Sequence, residues 1–218
     1  MKRIYASILI LLLSFTAFAQ DPLRFAEEVK KFENTANNYP EANRIVFTGS
    51  SSIRLWVDFK SYFPNDNVIN TGFGGSETSD LIHYKSLLID QFNPRQVFIY
   101  EGDNDLNSGK SPIQIVSDLT ALVSSLLENK IIESIVIISP KPSIARAALR
   151  TEYEKMNKVI KASTELSTRV QFADIWPPML NPDGSLKKEL FIEDGLHMNK
   201  KGYDLWIQVI APLVLKSK

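Results

Sequence analysis

Arg44-Ile45-Val46-Phe47-Thr48-Gly49-Ser50-Ser51-Ser52-Ile53-Arg54-Leu55-Trp56 is the stretch that decides the reading. Residues 44–48 are an apolar, β-branched run without polar alternation, the pattern of a strand buried on both faces. Gly49 and the small hydroxyl residues after it let the backbone turn sharply from strand into helix. Ser51 then stands near a helix N-terminus, where free N–H groups and the helix dipole favour a developing negative charge. At this point the serine run is either a nucleophile or only a helix cap.

Similar runs recur at 68–71, 96–100, 134–139 and 170–173, rich in Val, Ile and Phe. Helical stretches are expected at 77–91, 112–129, 149–167 and 199–215, and an amphipathic lead-in helix at 22–38 with Phe25, Val29 and Phe32 on one face. Strand and helix alternate, which implies a parallel sheet with helices on both faces, a three-layer α/β fold. Ligands of such folds bind at the carboxyl ends of the strands, so the residues after each strand carry the information.

After the second strand comes Asn70-Thr71-Gly72-Phe73-Gly74-Gly75-Ser76, where glycine lets a backbone N–H approach a ligand atom. After the third comes Glu101-Gly102-Asp103-Asn104-Asp105. Here Asn104 is an amide donor or part of an Asx turn, and Glu101, Asp103 and Asp105 are an alternative cation site that no further ligand completes. Beyond the fifth strand, Asp194-Gly195-Leu196-His197 sets an Asp three residues before a His. The Asp can turn back to accept the His Nδ1 proton and leave Nε2 free as a base; the alternative is a helix entry with a surface His. The other histidine, His83, falls inside an expected helix and reads as a surface residue. Each feature alone is weak, but all four fall at one edge of one sheet.

In this order the blocks resemble those of the SGNH hydrolase superfamily, the GDSL-like lipases and acylhydrolases: Gly49-Ser50-Ser51 with Trp56, Gly74-Gly75, Gly102-Asp103-Asn104-Asp105, and Asp194-Gly195-Leu196-His197. The resemblance runs from about Arg44 to the last helix. It implies Ser51 as nucleophile, His197 as base, Asp194 as its orienter, and an oxyanion hole from the Ser51 and Gly75 N–H groups and the Asn104 amide. It also implies a flavodoxin-like five-stranded sheet of order 2-1-3-4-5 and no cofactor or metal. One departure is Ser50, where the family commonly has Asp, so the choice of Ser51 among three adjacent serines rests on register.

Outside these blocks the chain narrows the alternatives. Its 218 residues suit a single domain, and 25 basic against 25 acidic residues favour neither nucleic acid nor an anionic membrane as partner. The absence of cysteine excludes disulfides, a thiol nucleophile and a thiolate metal site. Neither a GxGxxG nor a Walker lysine motif supports nucleotide binding. Met1-Lys2-Arg3, the aliphatic run Ile8 to Leu13 and Ala17-Phe18-Ala19 read as a secretory signal peptide over residues 1–19, cleaved after Ala19, with an uncleaved anchor as the alternative. Residues 20–218 are then one hydrolase domain, secreted or periplasmic.

The expected function is hydrolysis of carboxylic esters through an acyl-enzyme, with acetyl groups on carbohydrates as substrate. A lipase-like or lysophospholipid esterase is the alternative, and an inactive glycan-binding module the alternative of another class. Trp56, Trp176 and Met179 line a pocket or pack in the core; Lys141 and Arg146, after the fourth strand, face an anionic sugar or solvent.

Overall fold

The computed structural model describes residues 21–216, so the signal peptide expected over residues 1–19 lies outside the described residues. Five parallel strands, β1 (Arg44–Gly49), β2 (Asn67–Asn70), β3 (Gln96–Tyr100), β4 (Ser134–Ile138) and β5 (Val170–Ala173), form one sheet in the order β2-β1-β3-β4-β5. The α-helices are α1 (Ala26–Val29), α2 (Ser51–Arg54), α3 (Thr78–Leu88), α4 (Asp103–Asn107), α5 (Pro112–Leu127), α6 (Arg150–Thr164) and α7 (Lys200–Ile210).

Successive strand residues point to opposite faces, and both faces are apolar, which is why the strands show no polar alternation. Val46, Ile69, Val97, Ile99, Ile135 and Ile137 pack under α3, α5 and α6 through Leu81, Leu88, Leu119, Leu122 and Ile160. Ile45, Phe47, Phe98, Tyr100, Val136 and Ile138 face the other layer, made by α7 and the segment after α2. Trp56 is buried there against Phe47, Phe59, Tyr203 and Trp206, and Met179 lies in the same core, so both are packing residues.

The lead-in differs from the expected single helix over 22–38. It breaks into 3-10 turns at Pro22–Phe25, Lys30–Phe32 and Ala36–Asn38 around the one-turn α1. Asn34 takes a positive φ of 58° that ends any helix, and Arg44 reaches across to the carbonyls of Ala36, Tyr39, Pro40 and Phe92, which favours a folded loop. Phe25 and Val29 are still buried, as the periodicity implied.

Strand order 2-1-3 means that the chain leaves β1 toward one side and returns on the other. This opens a crevice at the carboxyl ends of β1 and β3, the place where open α/β sheets bind ligands.

Candidate active site

Gly49 ends β1 with φ +125°, and an added Cβ would lie 2.1 Å from the Tyr100 carbonyl oxygen. Only glycine lets β1 pass β3 this closely before turning. Ser50 is extended and caps α2, its carbonyl accepting from the Ile53 and Arg54 N–H groups. Ser51 is therefore the first helical residue, with an N–H that has no partner four residues back. Ser50 and Ser52 are each 2% exposed, whereas Ser51 is half-buried and faces the crevice, so of the three serines it is Ser51 that meets the histidine.

That histidine arrives on a tight loop before α7. Phe191 and Met198 pair as an isolated antiparallel bridge, the Ile192 N–H donates to the His197 carbonyl at 2.9 Å, and Gly195 turns with φ +64°. The loop is pinned to the segment after β4, where the Ile144 and Ala145 N–H groups donate to the Gly195 carbonyl. Asn199 caps α7 by accepting from the Lys201 and Gly202 N–H groups, so the loop enters the helix in one fixed direction.

His197 Nε2 lies 2.9 Å from Ser51 Oγ, and His197 Nδ1 lies 2.6 Å from Asp194 Oδ2. Asp194 Oδ1 accepts from the Leu196 and His197 N–H groups at 2.8 and 2.9 Å. What little burial Asp194 has opposes its charge, but the His197 ring and these two N–H groups outweigh it and hold the carboxyl down at about 2. An ionised carboxylate on Nδ1 keeps that nitrogen protonated, and Nε2 then carries the lone pair facing the Ser51 hydroxyl. His83 is exposed on α3, away from this group.

The two remaining loops follow β2 and β3 at the same edge of the sheet. The Thr71 and Phe73 N–H groups donate to the Phe47 and Gly49 carbonyls, tying the glycine loop to the end of β1. Gly75, exposed with φ +69°, then turns its backbone at the rim. The lead-in segment braces the same loop, since the Gly74 N–H donates to Glu28 Oε1 at 2.9 Å. Asn104 sits in the first turn of α4. Its Nδ2 donates to the Ser76 carbonyl at 2.8 Å and its Oδ1 accepts from Arg146 Nη2 at 2.8 Å.

The acidic residues around Asn104 do not converge on a common point. Asp103 pairs with Lys141 at 3.0 Å and with Arg146, and accepts from the Tyr100 and Tyr153 hydroxyls. Asp105 pairs with Lys110 at 3.0 Å and accepts from the Thr78 N–H. Glu101 accepts from Ser76 Oγ at 2.6 Å. Burial works against the Asp103 charge, yet Lys141, Arg146 and the two hydroxyls prevail and hold it well below the usual carboxylate range. Glu101 is the opposite case: burial, reinforced by Asp105, pushes it well above that range. Among the described residues no group of three or more acidic or His side chains could hold a metal ion.

Neither reading of Lys141 and Arg146 from the sequence survives. Lys141 is fully buried and Arg146 largely so, both directed at Asp103 rather than at solvent or a sugar. The clue in the sequence was their position after β4, at the same sheet edge as the other site residues. Trp176 is buried and, with Ser143, Arg146, Tyr153, Leu180 and Leu186, surrounds a small cavity of about 60 Å³. A larger cleft of about 280 Å³ opens beside His197, lined by Leu55, Val57, Ile192, Met198 and Tyr203.

A serine on one loop, hydrogen-bonded in series to a histidine and an aspartate on another at the carboxyl edge of a parallel sheet, is an arrangement for acyl transfer. The model of the GDSL-like lipase/acylhydrolase family matches residues 47–205, which takes in every loop just described. The chain belongs to that family. GDSL-like acylhydrolases are carboxylic ester hydrolases, and this one shares their architecture with relatives of low sequence identity. It is 22% identical over 186 residues to the bovine (Bos taurus) platelet-activating factor acetylhydrolase IB subunit alpha1, covering 83% of this chain and 79% of that one. A GDSL-like lipase from Bacteroides thetaiotaomicron superposes with a TM-score of 0.71 at 19% identity, covering 89% of this chain and 97% of that one. A catalytic mutant of an acetylxylan esterase from Geobacillus stearothermophilus superposes at 0.67 and 15%, covering 81% and 97%.

Proposed function

We propose that this ester hydrolase is an exported serine esterase that removes acetyl groups from carbohydrates. In this reading Ser51 is the nucleophile, His197 the base and Asp194 its orienter, while the Ser51 N–H, the Gly75 N–H and Asn104 Nδ2 form the oxyanion hole. The observation that carries it is the unbroken hydrogen-bond series from Asp194 through His197 to Ser51 Oγ.

The chemistry follows from that geometry. His197 Nε2 takes the Ser51 hydroxyl proton as Oγ bonds to the ester carbonyl carbon, and the carbonyl π pair moves onto oxygen. The oxyanion donors hold that charge, each worth on the order of 3 kcal/mol of barrier. As the tetrahedral intermediate collapses, the bond to the alcohol oxygen breaks and that oxygen takes the proton from His197. Water then repeats the sequence on the acyl-enzyme, releasing the acid and free Ser51.

The acetyl assignment draws on two relatives, one acting on platelet-activating factor and one on acetylxylan, both named for acetyl esters. The carbohydrate assignment draws on the export reading of residues 1–19 and on the balanced charge. The apolar cleft beside His197 favours a second reading, a lipase-like or lysophospholipid esterase, because an acyl chain or apolar alcohol would fit there.

A fluorophosphonate probe should label Ser51, with no labelling after Ser51→Ala. An inert glycan-binding module would not label, and a label on Ser50 or Ser52 would overturn the assignment. Rates on p-nitrophenyl esters of increasing chain length and on acetylated xylooligosaccharides separate the two substrates. This reading expects kcat/KM to be highest for acetyl, and a rise with chain length would support the lipase-like alternative. Export predicts a product whose first residue is Gln20; the intact N-terminus on that product would refute cleavage.

A further inference from the structure

We infer that Arg146 is a positioning residue for the oxyanion hole: it fixes which end of the Asn104 amide faces the substrate and strengthens that amide as a donor. The inference rests on the proposed role of Asn104.

An Asn side chain presents oxygen or nitrogen to a site with nearly the same shape. A flipped amide would aim Oδ1 at the developing oxyanion and repel it, so a donor role requires the orientation to be locked. Two contacts lock it from opposite directions. Arg146 Nη2 meets Asn104 Oδ1 at 2.8 Å, and a guanidinium can only donate. The Ser76 carbonyl meets Asn104 Nδ2 at 2.8 Å, and a carbonyl can only accept. In the flipped amide both contacts would be mismatched. Nδ2 has two hydrogens, and the one not held by Ser76 remains for the crevice.

The cation also acts on the amide electronically. A positive donor on Oδ1 draws electron density toward oxygen and makes the Nδ2 hydrogens more positive, as in any chain of polarised hydrogen bonds. Arg146 is itself immobilised by Asp103, which Lys141 at 3.0 Å, Tyr100 at 2.7 Å and Tyr153 at 2.5 Å hold in place. Two cations share one carboxylate here, so a net positive charge stands behind the amide. It is tied to the Oδ1 end of the amide, opposite the Nδ2 donor.

The test is a double-mutant cycle with Asn104→Ala, read on p-nitrophenyl acetate. Lys141 and both tyrosines remain on Asp103 when Arg146 is truncated, so Arg146→Ala is expected to fold. We expect Arg146→Ala to lower kcat about tenfold or more with KM nearly unchanged, and Arg146→Ala with Asn104→Ala to be no slower than Asn104→Ala alone. Added guanidinium should restore part of the activity of Arg146→Ala but none of the double variant. Arg146→Lys, a point charge that cannot span Asp103 and Asn104 at once, should also lose kcat, and it carries the test if the alanine variant does not fold. Fully active Arg146→Lys, losses that multiply in the double variant, or a raised KM with intact kcat would each overturn the inference. If Asn104→Ala itself keeps full kcat, the failure lies instead in the reading of Asn104 as a donor.

Discussion

Replacing Asn104 with alanine perturbs two quantities whose sizes can be worked out separately. Loss of one oxyanion donor lowers kcat by about a hundredfold or more, which at 1.36 kcal/mol per tenfold is about 2.7 kcal/mol of barrier. KM should hardly move, because the negative oxygen exists only near the transition state. The same substitution also removes two structural hydrogen bonds, from Arg146 Nη2 and to the Ser76 carbonyl. The first involves a charged donor, but the residue is half-buried and water can enter, so the combined cost is about 2 kcal/mol. For a domain of this size that lowers Tm by about 4–8 °C. The assay is steady-state hydrolysis of p-nitrophenyl acetate well below the shifted Tm, with thermal unfolding on the same preparation. A lower Tm with unchanged kcat would mean that Asn104 only closes its turn, and the oxyanion role would be refuted. A raised KM with unchanged kcat would make it a substrate-binding residue instead.

Asp194→Asn should lower kcat by about 10³–10⁴, because an amide no longer requires a proton on Nδ1, while urea unfolding of this exposed side chain changes little; a loss under tenfold would argue against Asp194 as orienter. Glu101 carries a pH prediction. Its folded-state pKa lies above the ordinary 4.5, so the folded protein holds a proton that the unfolded chain releases, and stability falls as pH rises from about 4.5 toward the folded value. Glu101→Gln removes that dependence, so the Tm of wild type relative to Glu101→Gln should fall between pH 4.5 and pH 8; parallel Tm curves would refute the raised pKa. Gly49→Ala should cost about 2–6 kcal/mol, from the strained φ and the clash with the Tyr100 carbonyl, and a urea midpoint within error of wild type would contradict the packing of β1 on β3.

Patterns local to the chain were sufficient for most of the fold. The Ile45-Val46-Phe47 run, apolar on both faces, announces a buried parallel strand whatever surrounds it, and the five strands fall within a residue or so of where the pattern puts them. Strand ends also pointed to Ser51, Asp194 and His197, which the structure joins in one hydrogen-bond series, and to the loops that carry Gly75 and Asn104, because a parallel sheet brings all its carboxyl ends to one edge. The lead-in segment failed as a helix because Asn34 and the long reach of Arg44 outweigh a weak period of Phe25, Val29 and Phe32.

Which charges meet was decided only in three dimensions. Asp103 and Lys141 are 38 residues apart and Asn104 and Arg146 are 42 apart, so no spacing rule links them. As isolated residues, Lys and Arg after a strand read as a solvated loop, since burying them alone would cost more than the fold can supply. The tertiary structure makes their burial favourable by closing both around one carboxylate and two tyrosine hydroxyls. Register also needed the fold. The sequence has three consecutive serines, and only the turn after Gly49, with Ser50 capping α2, directs the middle one at His197. Periodicity reports which face of an element is apolar; it carries no information about which polar side chains on different elements are brought within a hydrogen bond of each other.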